Sequence, residues 1–298
     1  MKALATRPKI ALKNILFATD FEAQANRALP FAVAFAEHFG AKLFIAHVIP
    51  EAAYCFSRPD SVDRIWAESH DYARYRLGQI VGSLQLHDRT CEALVGEGDP
   101  GEVITQFAQT HGADLIVIGT SSRAGVGKLL LGSVAEETIR VASCPVLTIG
   151  PHVKTASLTR IQNIVCAVDF SAESLSAAEL AVSLACEYQA QITLTHVLDE
   201  VLQEYAAMQA IEVHLLDLVP FEAELPRKPE VIVEIGPVAE CILNLSGRLS
   251  ADLIVMGVRG IGAFRQVASH FGSITHKVIS LATCPVLTLG GRHEPGQG

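Results

Sequence analysis

Apolar and polar positions follow two different periods along the chain, and their alternation predicts an α/β fold. The segment Asn14–Asp20 is apolar until it ends at a carboxylate, which is typical of a short buried strand. Apolar residues then recur at helical spacing from Ala28 to Phe39, and Gly40 is suited to end that helix. Segments of strand and helix length continue in turn, which predicts parallel strands joined by helices.

The other elements of the first half continue this alternation of strands and helices. Asp99 and Pro100 suit the N-cap and the first position of a helix, and Gly112 suits its end. The remaining predicted elements are strands at Ala41–Val48 and Thr90–Val95, a long helix over Asp60–Leu86, a strand ending at Gly119, a helix from Ser133 to about Ala142, and a last strand at Pro145–Ile149.

The pattern of the first half returns in the second half. The second copy is 11 residues shorter between its second and third strands, around Leu198–Pro229. We therefore predict two tandem doubly wound domains, at residues 1–150 and 160–291, joined by a polar linker at Pro151–Thr159. The matching segments are Asn14–Phe21 with Asn163–Phe170, Ala46–Val48 with Thr195–Val197, Ala113–Gly119 with Ala251–Gly257, and Cys144–Gly150 with Cys284–Gly290.

Composition restricts the partners and the location of the protein. The chain has 298 residues, of which 50% are hydrophobic, so two buried cores are feasible. Its net charge of -9 argues against binding of nucleic acid through a broad basic surface. No apolar run approaches the roughly 18 residues of a membrane span, and the first residues lack the apolar core of a secretory signal. We expect a cytoplasmic protein without a nucleic-acid or membrane partner.

Cysteines and histidines indicate neither disulfides nor a metal site. The seven cysteines form no Cys-x-x-Cys pair and fit reduced thiols, and for Cys144 and Cys284 a core role is favoured over a redox role. The 11 histidines lack the paired spacing of zinc sites. His47 and His196 occupy matched strand ends, where local packing or hydrogen bonding is favoured over catalysis. We expect no catalytic residue and no metal ligand.

A glycine-rich loop follows the fourth strand of each half, after Gly119 and after Gly257. Glycine lets an anion approach backbone N–H groups closely, and a following helix N-terminus favours negative charge. Asp20 and Asp169 end the first strands, and ligands of open parallel sheets bind beyond the carboxyl ends of the strands. This combination predicts a nucleotide with its sugar or base near the aspartate and its phosphates on the loop. The alternative is that each aspartate only precedes a helix.

These loops resemble those of the universal stress protein family, whose nucleotide-binding members carry Gly-x2-Gly-x9-Gly-Ser/Thr after the fourth strand. The strand-end Asp, the Gly-Ser that opens the last helix and the closing Cys-Pro-Val extend the resemblance over almost the whole chain. It implies a five-stranded parallel sheet flanked by helices in each domain. It also implies ATP, or ADP or AMP, as ligand, with Mg²⁺ accompanying the phosphates.

The resemblance further implies that the two domains pair through their final strands, Pro145–Ile149 and Pro285–Leu289. A single chain would then form an intrachain pseudo-dimer, with assembly into a homo-oligomer as a further option.

The resemblance also assigns binding positions, and each copy departs from the family pattern once. In the first copy Ser122 replaces the second glycine, whereas in the second copy eleven residues separate Gly260 from Gly272. We favour binding in the first copy because loop length determines where the helix dipole points. The first set is Ala18, Thr19, Asp20 and Val48 around the adenosine, with Gly119, Ser122, Gly132, Ser133 and Val134 on the phosphates. The second set is Ala167, Val168, Asp169 and Val197, with Gly257, Gly260, Gly272, Ser273 and Ile274. Candidates to neutralise phosphates are Arg123, Lys128, Arg259 and Arg265, although surface charge without a ligand is the commoner role of such residues.

Three functions compete. The first is a nucleotide-binding regulatory module with little or no hydrolysis. The second is a scaffold that binds no nucleotide, which Ser122 and the longer second loop keep in consideration. The third is a nucleotide-dependent transferase, which is disfavoured because the sequence shows no Ser-Gly-Gly pyrophosphate loop, no paired-histidine adenylation motif and no evident general base beside the loops.

Overall fold

The computed structural model of the chain describes residues 10–51, 62–84, 90–120, 131–154, 161–198, 205–258 and 274–290. Its contacts separate into two compact units, divided in the sequence between Pro151 and His152. Residues 12–151 are called the first unit, and the described residues from His152 onward are called the second unit.

The first unit is a doubly wound α/β structure whose strands are all parallel. Its strand order is β3-β2-β1-β4-β5, so the first strand lies at the centre. The elements alternate as the sequence predicts, and the α/β fold of this half is confirmed. They are β1 (Asn14–Ala18), α1 (Ala23–Asn26), α2 (Leu29–Phe39), β2 (Lys42–Ile49), α3 (Val62–Ser83), β3 (Cys91–Glu97), α4 (Pro100–Thr110), β4 (Leu115–Gly119), α5 (Ser133–Val141) and β5 (Val146–Ile149).

The second unit repeats this arrangement. Its strands are parallel in the order β8-β7-β6-β9-β10, with β6 in the place of β1. The elements are β6 (Asn163–Ala167), α6 (Ala172–Tyr188), β7 (Gln191–Leu198), α7 (Tyr205–Leu216), β8 (Glu230–Ile235), α8 (Val238–Arg248), β9 (Leu253–Val258), α9 (Ile274–Leu281) and β10 (Val286–Gly290).

Local sequence signals explain where several elements begin and end. Ile15, Leu16 and Phe17 are fully buried in β1, as expected for a central parallel strand covered on both faces. Asp99 caps α4 by accepting hydrogen bonds from the N–H groups of the helix's first turn. Gly40 ends α2 in the left-handed conformation that glycine adopts at low cost. These three sequence predictions are confirmed.

The helix that follows the first strand differs between the units. In the second unit α6 runs continuously for 17 residues from its N-cap, Ser171. In the first unit the chain turns at Arg27 and Ala28 between the short α1 and α2. Pro30 accounts for this break, because proline has no N–H and is tolerated in the first helical turn but not in a helix interior. The short α1 precedes the predicted helix and was not expected from the sequence.

Matched aspartates fasten the start of the first strand in each unit. Asp114 Oδ2 accepts hydrogen bonds from the backbone N–H groups of Lys13 at 2.7 Å and Asn14 at 3.0 Å. In the second unit Asp252 Oδ2 accepts in the same way from the N–H groups at positions 162 and 163, at 2.8 and 2.9 Å. These aspartates belong to the repeated segment before the glycine loop, so the repeat conserves a sheet clasp as well as the loop. Among the described helices none is both long and apolar enough to cross a membrane.

Candidate functional site

The adenosine-side positions of the first unit meet at the carboxyl ends of its central strands. Ala18, the last residue of β1, pairs with Ala46 of β2 on one side and with Ile118 of β4 on the other. After β1 the chain places β2 and β3 on one side of β1 and then places β4 on the other side. The strand order therefore reverses beside β1. Ligands of open α/β sheets bind at such a reversal. The predicted positions gathered here are Ala18, Thr19, Asp20, Val48 and Gly119.

The second unit gathers its matching positions in the same way. Ala167 ends β6 and pairs with Thr195 of β7 and with Met256 of β9. The next residue of β9 is Gly257, the counterpart of Gly119. The positions brought to this reversal are Ala167, Val168, Asp169, Val197 and Gly257.

A strained turn follows each central strand. Phe21 and Phe170 have φ angles of 66° and 61°, a left-handed conformation that is unusual for bulky residues and recurs at functional sites. Side chains of the two preceding residues hold the first turn: the Thr19 hydroxyl accepts from the Phe21 N–H, and Asp20 Oδ1 accepts from the Glu22 N–H, both at 2.9 Å. Asp20 therefore has a structural role in the turn, as the alternative interpretation required, while its side chain stays exposed.

The turn of the second unit uses the matched aspartate in a similar manner. Asp169 Oδ1 accepts hydrogen bonds from both the N–H and the hydroxyl of Ser171. Ser171 in turn caps α6 by accepting from the Ser174 N–H. Both aspartates thus shape the path from strand to helix, and both remain exposed at the edge of the sheet.

Gly119 and Gly257 are required by packing. A Cβ atom at Gly119 would lie 2.7 Å from the carbonyl oxygen of Gln24 and 2.8 Å from Cα of Ala25. At Gly257 it would lie 2.4 Å from the backbone nitrogen of Ser174. Real side chains essentially never approach backbone atoms so closely. Each glycine therefore lets the helix after the central strand pack on the fourth strand, whether or not a phosphate binds nearby.

The two strand-end histidines hold backbone carbonyls. Nδ1 of His47 lies 2.8 Å from the Thr19 oxygen, and Nδ1 of His196 lies 2.7 Å from the Val168 oxygen. A carbonyl only accepts hydrogen bonds, so Nδ1 must carry the proton in both rings. Burial lowers the pKa of His47, against the opposing effects of Thr19 and Asp20, and the Arg76 charge lowers it further. His47 is therefore neutral at pH 7, and the predicted local role of both histidines is confirmed.

Side chains from α3 cover the first-unit turn. The Phe21 ring stacks on His47 with 4.1 Å between centroids and meets Tyr72 of α3 edge-on at 6.1 Å. The guanidinium carbon of Arg76 lies 4.9 Å from the centroid of Phe21. In the second unit Phe170 approaches His196 at 5.1 Å and His214 of α7 at 6.4 Å. The sequence marked Tyr72 only as part of the apolar pattern of a helix and did not mark Arg76. The only signal for a shared role was their common helix face at a spacing of four residues.

The described phosphate-side positions lie at the starts of α5 and α9. Gly132 is the N-cap of α5, Ser133 is its first residue and exposed, and Val134 follows. Ile274 is the exposed first residue of α9. The backbone N–H groups of a first helical turn lack intrahelical partners and favour anions. The candidates that lie outside the described residues are Ser122, Arg123, Lys128, Arg259, Gly260, Arg265, Gly272 and Ser273.

The cysteines beside the final strands are unsuited to redox chemistry at neutral pH. Burial raises the pKa of Cys144 to about 12 and that of Cys284 to about 12, so both thiols stay protonated. This agrees with their predicted core role. In the part of the chain that the structure describes, no three His, Cys, Asp or Glu side chains are grouped so that they could hold a metal ion.

The family model described as the universal stress protein family matches residues 11–150 and 160–289. The chain belongs to the universal stress protein family. It is 30% identical over 141 residues to a universal stress protein of Methanocaldococcus jannaschii, an alignment that covers 46% of this chain and 81% of the relative. It is 32% identical over 139 residues to one of Thermus aquaticus, covering 46% of this chain and 98% of the relative. Each relative thus matches about half of this tandem chain.

Solved structures of similar fold extend over both halves. The crystal structure of a universal stress protein from Archaeoglobus fulgidus has a TM-score of 0.74 at 20% identity and covers 93% of this chain and 98% of that one. A functionally unknown protein from Pseudomonas aeruginosa has a TM-score of 0.63 at 18% identity, covering 95% and 94%. The family model thus confirms the expected family, and these structures confirm its doubly wound fold.

Proposed function

We propose that the first unit binds ATP or a related adenine nucleotide, and that the protein is a regulatory or stress-response module with little or no hydrolysis. The observation that carries the proposal is the meeting of Ala18, Thr19, Asp20, Val48 and Gly119 at the reversal of strand order. Val48 and Gly119 are far in sequence from Ala18, Thr19 and Asp20, and the fold brings all five to the edge where α/β sheets bind ligands. Membership of the universal stress protein family supports the same ligand class.

The chemistry of this edge suits a nucleoside. The exposed Asp20 carboxylate can accept hydrogen bonds from sugar hydroxyls, and Val48, which is 8% exposed near the end of β2, would form an apolar wall beside a base. Gly132, Ser133 and Val134 would offer the backbone N–H groups of α5 to the phosphates, which Mg²⁺ accompanies. ADP or AMP would use the same adenosine contacts.

The second unit is a weaker candidate for the same ligand. Its reversal gathers Ala167, Val168, Asp169, Val197 and Gly257, but its loop is longer than the family spacing. Because loop length determines where the helix dipole points, we propose that nucleotide occupies the first unit and that the second unit is altered. The expected stoichiometry is one nucleotide per chain.

We propose no catalytic role for either unit. His47 and His196 are the histidines that could be considered as general bases. Each is held by a backbone carbonyl, so each has a structural role. Action in the cytoplasm, and pairing of the two units through their final strands, stay predictions from the sequence and the family. An experimental structure with Pro145–Ile149 and Pro285–Leu289 far apart would reject that pairing.

Calorimetric titration of the full chain with MgATP, ADP and AMP tests the proposal. We expect binding near one nucleotide per chain, with no phosphate release above the blank. Asp20→Asn keeps an oxygen that can accept from Glu22 but removes the charge, so binding should weaken about tenfold. Asp169→Asn is the matched variant of the second unit and should leave this affinity unchanged.

Two results separate this proposal from its alternatives. If no adenine nucleotide binds at millimolar concentration, the protein is a scaffold of the universal stress protein family and the proposal is wrong. Group transfer to a second substrate well above background would favour a transferase instead. Adenine absorbance of the purified, denatured protein gives an independent measure of occupancy and stoichiometry.

A further inference from the structure

Two side chains of α3, Tyr72 and Arg76, lie over the first-unit turn and are called the α3 cover. The guanidinium carbon of Arg76 lies 4.9 Å from the Phe21 ring centroid and 5.5 Å from that of Tyr72. Nη1 of Arg76 donates to the Tyr72 hydroxyl, and Nη2 lies 3.5 Å from the carbonyl oxygen of Phe21. A permanent positive charge is thus held directly beside the residue that follows Asp20.

The helix that carries the α3 cover is anchored by buried side chains. Ala73 and Leu77, about 100° around the helix from Tyr72 and Arg76, are fully buried and anchor α3 to the sheet. Tyr72 and Arg76 are four residues apart and therefore share one helix face. Phe21, beneath them, is only 8% exposed, whereas Tyr72 is 54% exposed. The cover thus has a buried inner side and an outer side that a ligand can reach.

The guanidinium of Arg76 has the chemistry to recognise a purine. A guanidinium is planar, stacks on aromatic faces and presents five N–H donors. The structure shows two of these donors engaged, one by Tyr72 and one by the Phe21 carbonyl, among the residues it describes. The remaining donors and the flat surface suit a heteroaromatic ring with acceptor nitrogens. His47, on which Phe21 stacks, belongs to β2, which α3 contacts.

We propose that Arg76 is a binding residue for the base of the nucleotide in the first unit, with Tyr72 holding the guanidinium in position. This inference rests on the proposed function of that site. The contact distinguishes the two units, because among the described side chains of α7 it is His214 that approaches the matched Phe170. The first unit therefore offers the base a permanent cation on an aromatic support, and the second unit offers an imidazole.

Binding of adenosine and of ATP to the full chain tests this role. Arg76→Ala should weaken both ligands by a similar factor of about ten, because the lost contact is to the base that they share. Arg76→Lys keeps the charge but loses the planar fork, so it should weaken binding nearly as much. Arg74→Ala is the matched control, since Arg74 is an exposed arginine of the same helix, and should bind as the wild type does.

Each other outcome has a defined meaning. Equal affinity of Arg76→Ala and wild type overturns this inference and leaves nucleotide binding in place. Loss of ATP affinity with adenosine unchanged overturns it in favour of a phosphate contact. Tighter binding by Arg76→Ala overturns it too, because the cover would then exclude the ligand. If the wild type binds neither ligand, the proposed function fails and the inference fails with it. A urea midpoint equal to that of wild type confirms that each variant is folded.

Discussion

Cα of Ala25 would lie 2.8 Å from a Cβ atom placed on Gly119, so β4 and α1 approach more closely than any side chain allows. The obstacles are backbone atoms, which cannot rotate away as a flexible side chain can. We expect Gly119→Ala to lower the free energy of unfolding by about 3 kcal/mol, at the upper end of overpacking costs. Urea denaturation followed by circular dichroism measures this change.

Gly78 provides the matched control for this prediction. It lies within α3, and an added Cβ would meet nothing within 4 Å. Gly78→Ala should raise the free energy of unfolding by about 0.5–1 kcal/mol, because alanine favours the helix. A Gly119→Ala protein as stable as wild type would show that the contact with α1 is not close in solution.

Asp114 clasps the start of β1 through two backbone N–H groups, at 2.7 and 3.0 Å. Asp114→Ala removes both acceptors at once and should lower the free energy of unfolding by about 2 kcal/mol, since hydrogen bonds to a charged group contribute about 1.5–3 kcal/mol. Asp114→Asn keeps one acceptor oxygen and should cost less. Chemical denaturation of both variants shows whether Asp114→Ala loses more stability than Asp114→Asn. Equal losses of stability would show that these two hydrogen bonds do not fasten the start of β1.

Much of the fold follows from local sequence signals. The α/β alternation, the Asp99 cap and the Gly40 helix end depend on residues close together in sequence. The tandem repeat shows the alternation twice, whereas the matching cap positions of the second unit are Pro237 and Gln189. The placement of Asp20 and Gly119 at the same edge of the sheet also follows, because parallel strands place their carboxyl ends at one edge.

The covering side chains do not follow from local signals. Phe21 and Arg76 lie 55 residues apart, and their contact depends on how α3 is rotated about its axis over the sheet. For Gly119 the local sequence indicates one role but not the other. Its place in a glycine-rich loop indicates a phosphate contact, but nothing near it in sequence shows that α1 packs against it.

The pKa of His47 should be sensitive to Arg76. Burial lowers this pKa from its ordinary value of 6.5, and the nearby Arg76 charge lowers it further. A lowered folded-state pKa means that the folded protein binds this proton less readily than the unfolded chain. His47 therefore lowers stability as pH falls below 6.5.

Removal of the positive charge in Arg76→Ala should raise the pKa of His47. Titration of the imidazole carbon resonances by NMR measures it, and Arg74→Ala is again the control. An unchanged or lower pKa in Arg76→Ala would show that the guanidinium does not lie near the ring in solution.

Glu137 of α5 makes stability depend on pH in the opposite sense. Burial raises the pKa of its carboxyl, and the charge of Asp99 and a hydrogen bond to it raise the pKa further, against the opposing charge of Arg140. Below the unfolded-state pKa the carboxyl is protonated in both states and there is no penalty. As pH rises through the unfolded-state and then the folded-state pKa, ionisation is disfavoured in the fold and stability falls.

Glu137→Gln abolishes this ionisation and should be more stable than wild type at pH 7, with the difference shrinking towards pH 4. Urea midpoints measured at intervals between these pH values follow the change, and Glu136→Gln on the same helix is the control for loss of a surface charge. A difference between wild type and Glu137→Gln that does not vary with pH would contradict the prediction. A variant less stable than wild type at pH 7 would show instead that the pair with Arg140, at 3.6 Å, outweighs the repulsion from Asp99.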